Sequence, residues 1–233
     1  WYYYCDKLGI LVWQDMPSGD LGGNKWDMRA GQITGLNMDK DRTPESEAIY
    51  RKEWKAIMDA CYNFPSVVAW VPFNEAWGQF KTKEITEWTM RMDPTRLVNE
   101  ASGGNFFYAG HIIDIHHYPD PEMPDPAIFG NKQQALVLGE FGGLGLPVEG
   151  HTWQDTKNWG YQSFKNSDEL FEKYAEFIDR LHSLISKGLS AAVYTQTTDV
   201  EIETNGFFTY DRKVLKMPLK KVQEAHKRLY KAD

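Results

Sequence analysis

Two glutamates stand at the ends of long apolar segments. Glu75 follows VVAWVPFN, and Glu140 follows ALVLG. Two carboxyls held close together disfavour double ionisation, so one can stay protonated as an acid while the other is a base or nucleophile. Glycosidic bond cleavage is a reaction that uses such a pair. For either glutamate alone, a surface ion pair or a place beside a helix N-terminus is the competing interpretation.

Six strand candidates alternate with helices along the chain. The strands are the segments ILVWQDMP, VVAWVPF, RLVNEAS, HIIDIHHYP, ALVLGEF and LSAAVYTQ. Helical spacing of apolar residues predicts helices from near Pro44, over Thr82 to Met92, after Asn166 or Ser167, and from Pro218. The strands are continuous apolar runs, which indicates a parallel sheet buried on both faces.

Two α/β architectures fit this alternation, an open doubly wound sheet and a (β/α)8 TIM barrel. No glycine-rich phosphate loop follows a strand, which weakens a nucleotide-binding open sheet. Polar residues end at least five strands, as expected at the rim of a barrel. These residues are Gln14 and Asp15, Asn74 and Glu75, Asn99 and Glu100, His116 to Tyr118, and Glu140.

We therefore expect residues 1–233 to be a single catalytic barrel domain. Six strands correspond to strands three to eight of a barrel, so the first two strands are expected upstream in a longer polypeptide. On that count Glu75 ends strand four and Glu140 ends strand seven, on opposite sides of the barrel mouth.

Composition excludes several classes of partner. The 233 residues carry a formal net charge of −7 and no run of Lys or Arg, which argues against nucleic acid and acidic membranes as partners. No apolar stretch approaches the roughly 20 residues that cross a bilayer. Cys5 and Cys61 are expected to be two buried thiols. Aromatic residues make up 14% of the chain, typical either of a large aromatic core or of rings that line a sugar site.

The segment HIIDIHHYPD is an alternative metal site. It offers His111, Asp114, His116, His117 and Asp120. Neighbouring residues of a strand point to opposite faces, so His116 and His117 cannot bind one ion without bending the strand. We expect no metal and no cofactor.

Four segments resemble glycoside hydrolase family 2, of the β-galactosidase and β-mannosidase type. They are CDKLGILVWQDMP, VVAWVPFNEAWG, ALVLGEFGG and TDVEIETNGFFTYDR. The resemblance implies a retaining hydrolase that works by double displacement through a glycosyl-enzyme. It makes Glu75 the acid/base and Glu140 the nucleophile, places Asn74 at the sugar 2-hydroxyl, and holds Tyr118 against the nucleophile.

Further substrate-binding candidates are His117, Asp15, Trp77 and Tyr194. The family often carries a tryptophan under the sugar on strand eight, where this chain has Tyr194 or Gln196. Glu203 and Asn205 stand where family β-glucuronidases hold the uronate with Asn and Lys, and an acidic group repels a carboxylate. A neutral β-linked sugar is therefore expected as the substrate.

The resemblance also implies upstream β-sandwich domains in the same polypeptide, and export to the periplasm or outside the cell. A carbohydrate is the expected partner. The alternative is a non-catalytic, carbohydrate-binding or inactive barrel fragment.

Overall fold

The computed structural model describes residues 1–22, 39–130 and 133–230. Most of the loop predicted between residues 18 and 43 lies outside these ranges. The helices are α1 (Tyr2–Leu8), α2 (Pro44–Cys61), α3 (Thr82–Met92), α4 (Pro126–Phe129), α5 (Ser167–Ile185) and α6 (Leu219–Lys227), followed by a 3₁₀ turn (Arg228–Tyr230). The strands are β1 (Val12–Asp15), β2 (Val67–Val71), β3 (Leu97–Val98), β4 (Ile112–His117), β5 (Ala135–Gly142), β6 (Leu144–Gly145), β7 (Gln162–Ser163) and β8 (Leu189–Thr195).

The described residues form two compact units. The first unit comprises Trp1–Ile115 and Pro124–Val137, and the second comprises His116–Met123 and Leu138–Asp233. None of the helices in the described ranges has the length and hydropathy of a membrane span.

The first unit contains a parallel sheet in the order β1–β2–β3. Asp15 pairs with Val71, so β1 and β2 end at the same level. Beyond β3, Asn99 forms a parallel bridge with Ile112 at the start of β4. The predicted parallel α/β arrangement is confirmed here.

Helix α2 covers this sheet with one apolar face. Thr43 caps its N-terminus by accepting from the Ser46 N–H, and Pro44 occupies the first turn. Trp54 is fully buried and packs edge-on against Trp70 of β2 at a centroid distance of 5.8 Å. Its indole N–H donates to Thr89 Oγ1 at 3.0 Å, so the buried polar atom is satisfied.

The second unit is built on β8, the last part of β5 and helix α5. The strand order around β5 is β4–β5–β8. Helix α5 begins as predicted, because Asn166 accepts from the Glu169 N–H while its side-chain amide donates to the Glu169 carboxylate. Its buried face contacts Phe141 of β5 through Phe177, with ring centroids 6.2 Å apart.

Several elements differ from the sequence expectation. Strand β3 has only two residues, Leu97–Val98, because the chain beyond it makes only isolated bridges, from Asn99 and from Ser102. The two-stranded parallel pair β6–β7 was not predicted. Pro218 is the N-cap of α6 and not its first residue. In the described part of the chain, the sheets do not close into a barrel.

Cys5 and Cys61 are buried free thiols, as predicted.

A buried ion pair joins Lys216 to Asp199 in the second unit. Lys216 Nζ lies 2.6 Å from Asp199 Oδ1 and also donates to the Thr204 carbonyl at 2.9 Å. Burial raises the pKa of Asp199 and lowers the pKa of Lys216, and each charge offsets this effect on the other.

Two glycines with the same φ predict different mutational costs. Gly9 and Gly78 both have φ of 71°, but a Cβ on Gly9 meets nothing within 4 Å, whereas one on Gly78 lies 1.9 Å from the Gly19 carbonyl oxygen. We expect Gly9→Ala to cost about 1 kcal/mol of unfolding free energy from left-handed strain alone. Gly78→Ala should cost clearly more, since backbone must also move. Urea unfolding measures both, and equal midpoints would contradict the contact at Gly78.

We expect Lys216→Met to cost about 3–5 kcal/mol of unfolding free energy, because it leaves the Asp199 charge buried without its partner. The double variant with Asp199→Asn should recover part of that loss. Additive losses in the double-mutant cycle would show that the two groups do not interact.

Candidate active site

The segment after β2 is a strained turn that carries Asn74, Glu75 and Trp77. Glu75 and Ala76 have φ of 49° and 61°, in the left-handed region that non-glycine residues rarely adopt. The Glu75 N–H donates to the Ser102 carbonyl at 2.9 Å, and the Ser102 N–H donates to the Phe73 carbonyl at 2.8 Å. Such strain persists only where surrounding structure enforces it, and it is concentrated at functional sites.

Arg42 holds the far end of this turn. Its guanidinium donates to the Gly78 carbonyl at 2.7 Å and lies over the rings of Phe80 and Tyr50, 4.4 and 4.9 Å from their centroids. Trp77, next to Gly78, remains about half exposed, at 49%. The turn is therefore fixed at both ends while an aromatic ring projects to solvent.

Buried carboxylates support the neighbouring strand end. Asp114 is fully buried and accepts from Asn99 Nδ2 at 2.7 Å and from Ser102 Oγ at 2.8 Å. The Ser102 backbone in turn contacts the Glu75 turn. The polar residues Asn99 and Asp114 thus serve to position this turn.

Glu100 is also fully buried, and it lies just beyond β3 as Glu75 lies beyond β2. Burial raises its pKa to about 8, against the opposing effect of the N–H groups of Phe107 and Ala109, which donate to its carboxylate. Glu100 therefore orders the loop that follows β3.

Asp15 is exposed at the end of β1. Its pairing with Val71 places it at the same sheet edge as the segment carrying Asn74 and Glu75. Within the first unit, the predicted residues Asp15, Asn74, Glu75 and Trp77 therefore follow strands that end at one edge.

In the second unit, Glu140 lies in a cluster of polar side chains. The Tyr118 hydroxyl donates to Glu140 Oε2 and lies 2.7 Å from Thr195 Oγ1. His116 Nδ1 is 3.4 Å from the same carboxylate oxygen. The predicted contact between Tyr118 and Glu140 is present.

The Tyr118 phenol is a fixed donor. Burial, followed by the negative charge of Glu140, raises the pKa of Tyr118 well above its ordinary value. The hydroxyl therefore keeps its proton and orients one carboxylate oxygen. Glu140 itself is half-buried, with 30% of its side chain exposed, so a reactant can reach it.

Two predicted substrate-binding residues, Tyr194 and His117, make their hydrogen bonds to groups other than Glu140. Tyr194 packs into an aromatic cluster with Phe141, Tyr174 and Phe207, and its hydroxyl accepts from the Leu144 N–H at 3.3 Å. Strand alternation explains this, because the next residue, Thr195, faces Tyr118. Tyr194 thus packs within this aromatic cluster, and its role in substrate binding stays a prediction.

His117 was named as a substrate-binding candidate from the sequence, whereas its neighbour His116 was not. His117 Nδ1 contacts the Asp120 carbonyl at 2.7 Å, whereas His116 lies beside Glu140. The two rings have different partners, as their opposite strand faces predicted. The His111 ring has a different partner again, because its Nδ1 accepts from the Val98 N–H at 2.9 Å.

Sequence reasoning did not place His116 beside Glu140 or Thr195 beside Tyr118. Each lies one residue from a substrate-binding candidate, His117 or Tyr194. Tyr118 could have served as the reference, because His116 is two residues before it and shares its side of the chain.

The sequence matches the family described as glycosyl hydrolases family 2, TIM barrel domain, over residues 1–230. A curated β-galactosidase from Psychromonas ingrahamii is 26% identical over 156 residues, covering 60% of this chain and 14% of that protein. A β-galacturonidase from Eisenbergiella tayi, bound to galacturonate, has a TM-score of 0.62 at 16% identity, over 97% of this chain and 42% of that chain. Bacteroides uniformis β-glucuronidase 2, covalently bound to cyclophellitol-6-carboxylate aziridine, has a TM-score of 0.60 at 14% identity, over 100% of this chain and 30% of that chain.

The chain thus spans less than half the length of each of these three proteins. The likeness to the two solved structures shows a shared fold. The match over almost the whole sequence shows that the chain belongs to the TIM barrel domain family of the family 2 glycosyl hydrolases.

Proposed function

We propose that this domain catalyses retaining hydrolysis of a β-glycoside, with Glu140 as the nucleophile and Glu75 as the acid/base. The observation that carries the proposal is the Tyr118–Glu140 hydrogen bond, with His116 beside the same oxygen. Donors on one carboxylate oxygen orient the other for attack on the anomeric carbon. Attack gives a covalent glycosyl-enzyme, and water then cleaves it from the same face.

The acid/base role of Glu75 is supported by its turn. The strained backbone at Glu75 is held by Ser102 and, through Gly78, by Arg42. Such rigidity suits a group that must meet the leaving oxygen at a defined angle. Asn74, the preceding residue, is proposed to hold the sugar 2-hydroxyl. The pairing of Glu75 with Glu140 across one substrate stays a prediction.

We propose a neutral sugar as the substrate. Glu203 accepts from the Asn205 amide at 2.8 Å, and Asn205 in turn accepts from Gln196 at 2.6 Å. The nearby Lys216 is buried against Asp199 and has no exposed charge to offer. Glu203 would repel a uronate carboxylate placed beside it, and Lys216 could not compensate that charge.

We propose further that β1, β2, β3, β4, β5 and β8 are strands three to eight of the barrel, and that β-sandwich domains accompany it. A panel of aryl β-glycosides tests the whole assignment. It should include galactoside, mannoside, glucoside and glucuronide, assayed with the protein that carries this domain. We expect turnover of a neutral glycoside, and binding of sugars with no turnover of any member would instead favour a carbohydrate-binding domain.

We expect Glu140→Gln to lower hydrolysis by several orders of magnitude while sugar binding persists, because the amide keeps the shape but cannot attack. A 2-fluoro glycoside should trap an ester on Glu140 in the wild type, detected by mass spectrometry of the LGEFGG peptide. Glu149→Gln, at an exposed glutamate of the following loop, is the control. An inverted first product seen by NMR, or a label on another residue, would overturn the assignment.

We expect Glu75→Ala to slow glycosides with poor leaving groups most, because only these need a proton at the departing oxygen. Acidic phenol glycosides should keep a rapid first step, and azide should restore turnover as a replacement nucleophile. Glu87→Ala, at an exposed glutamate of α3, is the matched control. Equal losses for all leaving groups would exclude Glu75 as the acid.

A further inference from the structure

Three aromatic rings extend from Glu140 towards solvent in the second unit. Tyr161 stacks on Tyr118 with a centroid distance of 3.9 Å and an interplanar angle of 5°, and Trp159 packs against Tyr161 at 5.4 Å. Tyr118, Tyr161 and Trp159 are here called the aromatic row. Tyr161 is 48% exposed and Trp159 is 41% exposed. The row therefore begins at the proposed nucleophile and ends at the surface.

Close backbone contacts build the aromatic row. A Cβ on Gly143 would lie 2.3 Å from the Tyr161 ring, and one on Gly160 would lie 2.7 Å from the Gly145 Cα. The Tyr161 N–H also donates to the Gly143 carbonyl at 2.9 Å. Tyr161 is thus held against the chain that directly follows β5, and its ring position depends on glycines there.

Trp159 is fixed from a second direction. Its N–H donates to the Ile202 carbonyl at 2.9 Å, and its carbonyl accepts from the Thr204 N–H at 2.8 Å. The Trp159 ring packs on Tyr161 at its inner side and leaves 41% of the residue exposed. Tyr161 has the structural task of covering Tyr118, whereas Trp159 lies beyond it at the exposed end of the aromatic row. A ligand is the simplest reason for its placement.

We propose that Trp159, with the edge of Tyr161, binds a sugar ring of the leaving group. The C–H face of a pyranose is apolar and slightly positive, which suits the negative face of an aromatic ring. The leaving-group sugar must be free to reach solvent in each cycle, and Trp159 lies at the exposed end of the row. The substrate is then a β-linked disaccharide or longer glycan, and not a glycoside of a small alcohol. This inference rests on the proposed hydrolase function.

Matched substrate pairs isolate the contact. Lactose is compared with methyl β-galactoside, cellobiose with methyl β-glucoside, and mannobiose with methyl β-mannoside. Both members of a pair release an alcohol, so the ratio of their kcat/KM values reports the second ring and not the chemistry. We expect Trp159→Ala to lower this ratio about 5- to 10-fold, the range of one aromatic contact, and Trp159→Phe to recover most of it.

Trp153→Ala is the matched control. Trp153 is an exposed tryptophan of the same loop that packs on Tyr210, outside the aromatic row. The ratio should not change in this variant, and thermal unfolding should show that all variants fold. Equal loss on both members of a pair in Trp159→Ala, or no loss, would overturn the inference.

A binding measurement separates this inference from the proposed function. In a Glu140→Gln background, calorimetry with each disaccharide should show weaker binding when Trp159→Ala is added. Trp159-dependent binding without turnover by the wild type would reject the hydrolase but support the sugar contact. Turnover with an unchanged ratio would support the hydrolase and reject the contact. Absence of disaccharide binding would also reject the proposed contact of Trp159 with a sugar ring.

Discussion

The two-residue period of β5 is the constraint on which the second unit depends. Phe141 is fully buried and packs on Phe177 of α5, so the preceding residue, Glu140, must lie on the opposite face. Burying a side chain of this size contributes about 2–3 kcal/mol. A slip of one residue would put the carboxylate among aromatic rings and the phenylalanine beside Tyr118. The packing of α5 therefore fixes the direction of the proposed nucleophile.

The same constraint acts on β8, where Tyr194 enters the aromatic cluster and Thr195 faces Tyr118. The glycines after Phe141 complete the arrangement. A Cβ on Gly142 would lie 2.3 Å from the Tyr194 ring, just as one on Gly143 would meet Tyr161. Each residue of the segment EFGG thus has its own constraint: Glu140 carries the carboxylate of the proposed chemistry, Phe141 fills the core, and at both glycines a neighbouring ring leaves no room for a side chain.

The sequence allowed prediction of what depends on local pattern. The start of α5 at its Asn166 cap and the bounds of α3 follow from spacing or from a motif, whereas the contact of Tyr118 with Glu140 is what the family resemblance implied. The place of His116 beside Glu140 was overlooked. Polar residues alternate with isoleucines along β4, so Asp114, His116 and Tyr118 share one side of the strand. The packing of Tyr194 on Phe141 could not be predicted, since an aromatic residue suits either face of a strand.

Glu100 and Glu140 also show why a place after an apolar run does not by itself identify a reactive carboxylate. Glu100 and Glu140 both follow apolar runs, but Glu100 is sealed from solvent and accepts from backbone N–H groups that cannot move away. Its protonation is governed by burial, and its task is to hold a loop. Glu140 is partly exposed, and side-chain groups of Tyr118 and His116 lie at one of its oxygens. A carboxylate can react only where a substrate can reach it, which holds for Glu140 and not for Glu100. Burial and donor type, which are set by the three-dimensional structure, therefore separate the two roles.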